Sequence, residues 1–313
     1  MSEFAHAPVM VDEVVALFGP VPAGVLVDAT VGGGGHAEAL LRTHDHLSLL
    51  GLDRDEDALA ASSARLAPFG DRVTLRHTRF DHLAESVHGI GVEEVSGVLC
   101  DLGVSSPQLD RPERGFSYRS DAPLDMRMDR TQARTAADIV NTWSEDALAD
   151  LLRDAGGERY ARPIARALVA ARPVERTDEL AEIVRSAIPA PARRRGGDPA
   201  RRSFQALRIA VNDELEILEG TLDQAIDLLR PAGRAAVLAY HSGEDTIVKR
   251  TFRHAATGGC TCPPALPCAC GARATVRLLK QGAWKPSAAE VAANRRAESA
   301  RLRAVEKLPQ EVP

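Results

Sequence analysis

The residues of this chain whose types and spacing indicate chemistry begin with a carboxylate and a run of glycines. Asp28 ends an apolar, β-branched run, glycines occupy positions 32–35, and residues 37–41 have a helix-forming composition. Such a strand, turn and helix start let the backbone approach a nucleotide-like ligand, because glycine lacks a Cβ and the first N–H groups of a helix face the ligand. The glycines also fit a relaxed dinucleotide pattern. This stretch therefore predicts a nucleoside cofactor without choosing one.

Two carboxylates narrow the choice of cofactor. Asp53 follows the glycines by about twenty residues, where a carboxylate accepts hydrogen bonds from both hydroxyls of a ribose. Asp28 precedes the glycines, where it would repel a pyrophosphate but attract the ammonium and sulfonium groups of S-adenosylmethionine. The pair favours S-adenosylmethionine over a nicotinamide dinucleotide.

A third carboxylate, Asp101, ends the apolar run that starts at Val95. At the carboxyl end of a strand it would face the reacting group, and would either hold the amino-acid part of the cofactor or accept a proton from an exocyclic amine. Strand alternation points its neighbour Cys100 to the opposite face. We therefore expect Cys100 to be a small buried hydrophobe rather than a nucleophile.

The elements that must position these residues alternate between strands and helices. Strands are expected at 25–29, 47–53, 72–77, 95–101, 234–241, 274–279 and 300–305, the last of them antiparallel. Helical spacing fills the gaps between the first four. This alternation predicts an open α/β sheet that binds its ligand at the carboxyl ends of the strands.

The middle of the chain interrupts this alternation. Residues 135–188 have helical spacing without a strand signal, and apolar residues from Leu207 to Leu229 step by threes and fours, which predicts one continuous helix. We interpret the middle as a helical domain inserted into the α/β domain. The expected boundaries are 1–130 and 213–313 for the α/β domain and 131–212 for the insertion.

Composition limits the class of protein. Of its 313 residues, 44% are hydrophobic and 27% charged, as in ordinary soluble proteins. Because no run reaches the length of a membrane span and the N-terminal residues lack a signal pattern, we expect a cytoplasmic protein without a membrane partner. The net charge of −5 argues against non-specific coating of nucleic acid but allows a local basic patch.

Clustered arginines provide two such patches, and arginine can bind phosphates bidentately. One patch follows the third carboxylate and the other lies near the end of the helical region. The members are Arg111, Arg114, Arg119, Arg127 and Arg130 in the first, and Arg193, Arg194, Arg195, Arg201 and Arg202 in the second. Contact with RNA and an ordinary solvated surface are both open for them.

Four cysteines, Cys260, Cys262, Cys268 and Cys270, fall within eleven residues. Four thiolates suit tetrahedral zinc, although the single residue inside each pair is fewer than zinc motifs usually have. Zinc, unligated thiols and redox pairing all remain open.

A series of motifs along nearly the whole chain resembles a known family. In order, the motifs are His6-x-Pro8-Val9, Asp28-Ala-Thr-x-Gly-x-Gly-Gly-His36, Gly51-Leu-Asp-Arg-Asp55, Asp101-Leu-Gly-Val-Ser-Ser-Pro-Gln-Leu-Asp110, Arg114-Gly-Phe-Ser117, Pro123-Leu-Asp-Met-Arg-Met-Asp129, Gly157-Glu158, Ser203-Phe-Gln-Ala-Leu-Arg-Ile209, Asn212-x-Glu-Leu215 and His241-Ser242. Together they resemble the bacterial 16S ribosomal RNA cytosine-N4 methyltransferases of the RsmH, or MraW, type. The chain departs from the family pattern at Tyr240, where Phe is usual, and at Gly243, where Leu is usual.

The resemblance implies the fold of a class I S-adenosylmethionine-dependent methyltransferase, a Rossmann-like α/β sheet, with an inserted helical domain that recognises RNA. It also implies N4-methylation of a cytidine in the decoding region of 16S ribosomal RNA, within the small ribosomal subunit and not on DNA. With Asp28 and Gly32 from the turn itself, the cofactor contacts carried over by motif are Gly34, Gly35, His36, Asp53, Phe80, Asp101 and Gln108.

The chemistry of the amine indicates what the protein must supply. A sulfonium methyl is already activated, so a nitrogen nucleophile mainly needs in-line placement. The N4 lone pair of cytosine is delocalised, and acceptors for its N–H bonds would favour pyramidalisation and take up the proton. The candidate acceptors are the carboxylate of Asp101 and the backbone carbonyls of residues 102–106, which include those of Ser105 and Ser106. A cytidine in folded RNA would also have to flip out of its stack.

Three other functions stay open at this point. They are a nicotinamide dehydrogenase, a DNA cytosine-N4 methyltransferase, and a non-catalytic RNA-binding assembly factor that keeps the cofactor pocket.

Overall fold

The computed structural model describes residues 8–193, 198–263 and 269–309. The strands are β1 Gly24–Asp28, β2 Leu47–Asp53, β3 Val73–His77, β4 Val95–Asp101, β5 Leu229–Ala239, β6 Val276–Leu278 and β7 Arg301–Lys307. The α-helices are α1 Val11–Phe18, α2 Gly35–Thr43, α3 Glu56–Leu66, α4 Leu83–His88, α5 Ser106–Asp110, α6 Ala136–Thr142, α7 Glu145–Asp154, α8 Ala161–Ala170, α9 Thr177–Ala187, α10 Ala190–Arg193, α11 Ala200–Asn212, α12 Leu218–Leu228, α13 Ser242–Thr257 and α14 Ala288–Ala293. Among the described residues, no helix has both the length and the apolar character needed to span a bilayer.

All seven strands form one sheet in the order β3-β2-β1-β4-β5-β7-β6. The first five strands run parallel to one another, whereas β7 runs antiparallel to both β5 and β6. The order reverses between β1 and β4, and such a switch point opens a ligand crevice at the carboxyl ends of the strands. The predicted α/β sheet, with its antiparallel last strand, is confirmed.

Two apolar cores cover the two faces of the sheet, because side chains alternate along each strand. In β4, Val98 and Cys100 belong to the core on one face, which also contains residues of α4, α12 and α13. Leu99, between them, belongs to the core on the other face with residues of α1 and α2. Helices on both faces of a mostly parallel sheet make a doubly wound α/β fold.

The chain divides into two compact units, one made of residues 1–103 and 215–313, the other of Val104–Glu214. The second unit is helical and begins at Val104, whereas the sequence pattern predicts an insertion that begins at 131. Its core explains the difference, because Phe116, Leu124 and Met126, from the loop before α6, are buried among the helices. These loop residues therefore belong structurally to the helical unit.

The prediction of one continuous helix through Leu207–Leu229 is wrong. The chain breaks after α11 at Asp213, whose φ of 52° is left-handed, and α12 starts at Leu218. The N–H groups of Asp213 and Glu214 both bond back to the carbonyl of Ile209, which ends α11 in a Schellman-like turn. The apolar spacing continues across the break because both helices bury one face.

Candidate active site

Three carboxylates stand at the carboxyl ends of adjacent strands. Asp28 ends strand β1 and lies in register with Gly51 of β2 and Leu99 of β4. Asp53 and Asp101 each follow these partners by two residues, so they flank Asp28 at the same edge of the sheet. This edge is the switch point, where the fold predicts a ligand crevice.

The glycine turn is bound to the carboxylate of the next strand. The N–H of Gly32 donates to Asp53 Oδ2 at 2.8 Å, and the N–H of Asp55 donates to Oδ1 at 2.9 Å. Gly32 and Gly34 have φ values of 52° and 77°, which side chains other than glycine rarely adopt. Burial raises the pKa of Asp53 to about 6, although these N–H donors oppose the rise. Hydrogen bonds thus hold the glycine turn and the Asp53 carboxylate together.

His36, at the start of α2, connects the N-terminal segment to Asp101. Its Nε2 lies 2.9 Å from the carbonyl oxygen of Val9, and its Nδ1 lies 3.4 Å from Asp101 Oδ2. A carbonyl only accepts, so Nε2 carries a hydrogen, and the contact at Nδ1 then needs a proton shared with Asp101. Burial opposes the charged ring, but the hydrogen bond and charge of Asp101 and the charge of Asp28 raise the pKa of His36.

Asp101 is held on several sides but remains partly accessible. The hydroxyl of Tyr240 donates to its Oδ1 at 2.7 Å, and its backbone N–H donates to Thr30 Oγ1 at 2.6 Å. Burial, together with the nearby carboxylate, raises the pKa of Tyr240 well above its ordinary value, so this hydroxyl keeps its proton. The Asp101 side chain is 26% exposed. It is therefore an oriented acceptor that a bound molecule can reach.

Asp28 is buried beneath this edge, with 2% of its surface exposed. Burial raises its pKa to about 7, and the charges of Asp101 and Asp53 add to the rise while the charge of His36 and the N–H of Thr30 oppose it. The charges of Asp53 and Asp101 therefore both act on Asp28. A cation bound here would relieve that repulsion.

Two further sequence expectations concern Cys100 and Phe80 of the α/β unit. Cys100 is 1% exposed, and burial raises the pKa of its thiol to about 12, so it is the inert hydrophobe that strand alternation predicted. Phe80 begins a single 3₁₀ turn after β3 and packs, partly buried, against the core that contains Cys100.

Comparisons with known proteins identify the family. A family model described as the MraW methylase family matches residues 3–308. The chain belongs to this family. Ribosomal RNA small subunit methyltransferase H of Symbiobacterium thermophilum is 53% identical over 97% of both chains. The protein of the same name from Acidothermus cellulolyticus is 54% identical over 97% of this chain and 94% of its own. An rRNA methylase structure from Streptococcus thermophilus has 12% identity and a TM-score of 0.42, covering 96% of this chain and 94% of that one.

Membership makes this methylase an S-adenosylmethionine-dependent methyltransferase with a class I, Rossmann-like sheet, as the resemblance implied. The sequence does not predict three hydrogen bonds of the site. Thr30 accepts from the Asp101 N–H, Tyr240 donates to the Asp101 carboxylate, and the Val9 carbonyl accepts from the ring of His36. Val9 belongs to the motif His6-x-Pro8-Val9, and Tyr240 departs from the family pattern, but the sequence contains no signal that identifies the partner of either residue.

The helical unit contains the remaining candidates near β4. Ser105 caps α5: its Oγ accepts from the N–H of Gln108 at 3.4 Å, and its own N–H donates to Gln108 Oε1 at 2.9 Å. Ser105 and Gln108 thus stabilise the start of α5. The side chain of Ser106 lies outside the described residues.

The methylase uses two of the expected RNA-binding arginines internally. Arg114 is 4% exposed and donates to the carbonyls of Arg127 and Met128 at 3.1 and 3.0 Å. Arg127 pairs with Asp125, with N–O distances of 2.7 and 2.9 Å, and also donates to the carbonyl of Gln132. Both guanidinium groups hold the loop before α6, so neither is among the arginines that we propose to contact RNA.

Other arginines of the two patches face solvent. Arg119 is exposed and stands 5.8 Å from the ring centroid of Tyr118, and Arg202 is exposed near the start of α11. Arg111 is half-buried. Arg194 and Arg195 lie outside the described residues.

The cysteine cluster is partly described. The sulfurs of Cys260, Cys262 and Cys270 all lie within 4.8 Å of one another, after the end of α13. Cys268 lies outside the described residues.

Proposed function

We propose that this methylase transfers a methyl group from S-adenosylmethionine to the exocyclic N4 of a cytidine in the decoding region of 16S ribosomal RNA, within the small ribosomal subunit in the cytoplasm. The observation that carries the proposal is Asp101, a partly exposed carboxylate that Tyr240 and His36 orient at the switch point of the sheet.

The site's charge fits the methyl donor. At one edge of the sheet the charges of Asp53 and Asp101 both act on Asp28, which favours a ligand with ammonium and sulfonium groups over a pyrophosphate. When bound, S-adenosylmethionine supplies a methyl group already activated by its sulfonium. We propose that Asp53 accepts hydrogen bonds from the ribose hydroxyls and that Phe80 packs on the adenine. The remaining part of the cofactor would contact the turn of Gly32, Gly34 and Gly35, with His36 and Gln108 as further contacts.

Asp101 has the properties that the amine requires. A carbon–nitrogen bond forms at N4 as the sulfur–methyl bond breaks, and the products are N4-methylcytidine, S-adenosylhomocysteine and one proton. Asp101 accepts an N4–H in hydrogen-bond contact and then takes that proton. The hydroxyl of Tyr240 and the ring of His36 hold its two oxygens in place, while backbone carbonyls from Leu102 to Ser106 are candidates for the second N–H.

The RNA substrate is supported by the relatives, whose printed names describe small-subunit ribosomal RNA methyltransferases. The exposed Arg119 and Arg202, with Arg111, offer contacts to phosphates. The inference that the methylated atom is N4 of cytosine is based on the motif around Asp101.

The test supplies radiolabelled S-adenosylmethionine with small ribosomal subunits, naked 16S RNA or DNA, and maps the modified nucleoside by mass spectrometry. We expect N4-methylcytidine in the decoding region, from subunits more than from DNA, and at least about a hundredfold slower product formation with Asp101→Asn. Methylation at another base or atom, or of DNA alone, would overturn the proposal. Tight RNA binding without transfer would instead indicate an assembly factor.

A further inference from the structure

Three thiols at the far end of α13 form a compact group that methyl transfer does not use. The sulfurs of Cys260, Cys262 and Cys270 lie within 4.8 Å of one another, and those of Cys260 and Cys270 are 3.6 Å apart. No disulfide joins these three in the described structure. Cys260 and Cys262 are half-buried and Cys270 is exposed.

The spacing of the sulfurs matches thiolate ligands around one ion. With zinc–sulfur bonds of about 2.3 Å in a tetrahedron, two sulfurs stand about 3.8 Å apart. A disulfide would instead require about 2.05 Å. The observed 3.6 Å between Cys260 and Cys270 is close to the first value.

Backbone contacts hold the two segments that carry the thiols next to each other. Gly258 ends α13 with a φ of 61°, and a Cβ there would stand 2.3 Å from the carbonyl oxygen of Arg273, so the two backbones touch. The N–H of Thr275 donates to the carbonyl of Ala255 at 3.0 Å. The base of this loop is therefore closed by the backbone, and the cysteines project from a joined pair of segments.

Backbone donors also point at one of the sulfurs. The N–H of Ala269 and that of Cys270 hydrogen-bond to the sulfur of Cys262. Such donors stabilise negative charge on a sulfur that binds a cation.

We propose that Cys260, Cys262 and Cys270 bind one Zn²⁺ that cross-links the loop between α13 and β6. Thiolates select soft ions, and zinc, which has no redox chemistry, is the usual structural choice in a thiolate site. Cys268 lies outside the described residues, and the proposal rests on the other three thiols.

The role of this ion is structural. The sixteen residues of α13 extend about 24 Å, with His241 and the neighbouring Tyr240 at one end and the thiols beyond the other. The ion would tie α13 to β6, the edge strand of the sheet, and would stabilise the fold because it binds the folded chain and not the unfolded one.

The test measures zinc in the full-length protein, purified without chelator, by mass spectrometry of the metal. We expect about one zinc per chain, and less than a fifth of that in Cys260→Ser and Cys270→Ser. Cys100→Ala is the matched control, because it removes a buried thiol of β4 outside the group, and it should keep its zinc. Chelation should lower the melting temperature of the wild type but not of Cys260→Ser.

Cobalt gives a readout that does not depend on the folding of variants. Chelator-treated wild-type protein, titrated with Co²⁺ alone, should show sulfur-to-cobalt charge-transfer absorption and the strong visible bands of a tetrahedral site. No zinc in the native protein and no cobalt uptake, a disulfide between these cysteines in the isolated protein, or zinc retained by Cys260→Ser and Cys270→Ser would each overturn the proposal. Methyl transfer by Cys260→Ser at low temperature should persist, so this result is separable from the proposed function.

Discussion

The hydroxyl of Tyr240 donates to Oδ1 of Asp101 across 2.7 Å, from one strand end to the next. Asp101 pairs with Leu238 in the register of β4 and β5, so Tyr240 is the second residue past that pair. A hydroxyl in this position fixes one carboxylate oxygen and leaves the other to His36. The acceptor of the proposed reaction is therefore positioned by residues far apart in the chain.

Asp101→Asn keeps the shape of the side chain but removes its capacity to take a proton. General acid–base groups contribute about 10²–10⁴-fold to rate, and we expect kcat to fall by at least about a hundredfold. Rapid-quench kinetics at saturating S-adenosylmethionine, with the cofactor Kd from calorimetry, separates the two possible roles. An unchanged kcat with a weakened Kd would make Asp101 a binding residue only.

Tyr240→Phe removes one hydrogen bond and keeps the ring that packs near Gly103. Because Phe is usual here in the family pattern, we expect a folded, active enzyme. Its kcat should fall by about tenfold, which corresponds to the low end of the free energy that a hydrogen bond to a charged group contributes. The measurement is kcat beside the thermal unfolding curve. Loss of all activity with normal unfolding would show that the hydroxyl is indispensable in this chain.

Cofactor affinity should rise with pH between about 5 and 7.5. The pKa values of about 6 for Asp53 and about 7 for Asp28 mean that both carboxyls hold protons at the lower limit. A bound sulfonium favours the ionised forms, so binding releases protons, and affinity increases by up to about tenfold per pH unit for each proton released.

Calorimetry in buffers of different ionisation enthalpy counts the protons released. S-adenosylhomocysteine is the matched ligand, because it lacks the sulfonium charge and should show a shallower pH dependence. Asp28→Asn should flatten the slope near pH 7. Equal slopes for both ligands would contradict the electrostatic explanation.

Gly115→Ala should destabilise the helical unit. Gly115 has a φ of 73°, and a Cβ there would stand 2.5 Å from the carbonyl oxygen of Pro123. Gly157→Ala is the control in the same unit, since its φ is 60° but nothing lies within 4 Å. We expect a loss of about 1–2 kcal/mol from the backbone in both variants, and about 1–3 kcal/mol more from overpacking in Gly115→Ala. Urea unfolding measures both, and equal losses would refute the steric argument.

Arg119→Ala should weaken RNA binding uniformly across sequences. Removing one phosphate contact lowers the slope of log Kd against log salt by about one. Arg166→Ala is the control, because this side chain is 76% exposed on α8, outside both patches. Filter binding to 16S RNA at several salt concentrations checks this, and identical slopes for both variants would remove Arg119 from the interface.

The sheet was predictable because its parallel strands are buried on both faces and read as apolar runs ending in acids. The bounds 47–53 and 95–101 were predicted to the residue. The sequence also predicted the sense of β7, but not its place between β5 and β6, since a local pattern contains no information about a strand's partner. The break at Asp213 escaped for a similar reason: Arg134 binds Asp213 and the Ala210 carbonyl from far along the chain.

Within the site, the acids and glycines were found by their positions at strand ends, whereas their partners were not. The contact from Tyr240 to Asp101 joins residues 139 positions apart, and Val9 reaches His36 across 27. The burial of Arg114 was not predictable, because charge suggests exposure, while burial beneath carbonyls depends on the folded loop.

The division of the chain also affects the order in which the protein can be completed during synthesis. The helical unit is one uninterrupted segment, so its core is available once residue 214 has left the ribosome. The α/β unit cannot be complete at that point, because β5, which pairs with β4, and β7, which pairs with both β5 and β6, have not yet been synthesised. A nascent chain of this protein therefore passes through a stage in which a finished helical unit accompanies a half-built sheet, with the strand edge next to Asp101 still open to pairing.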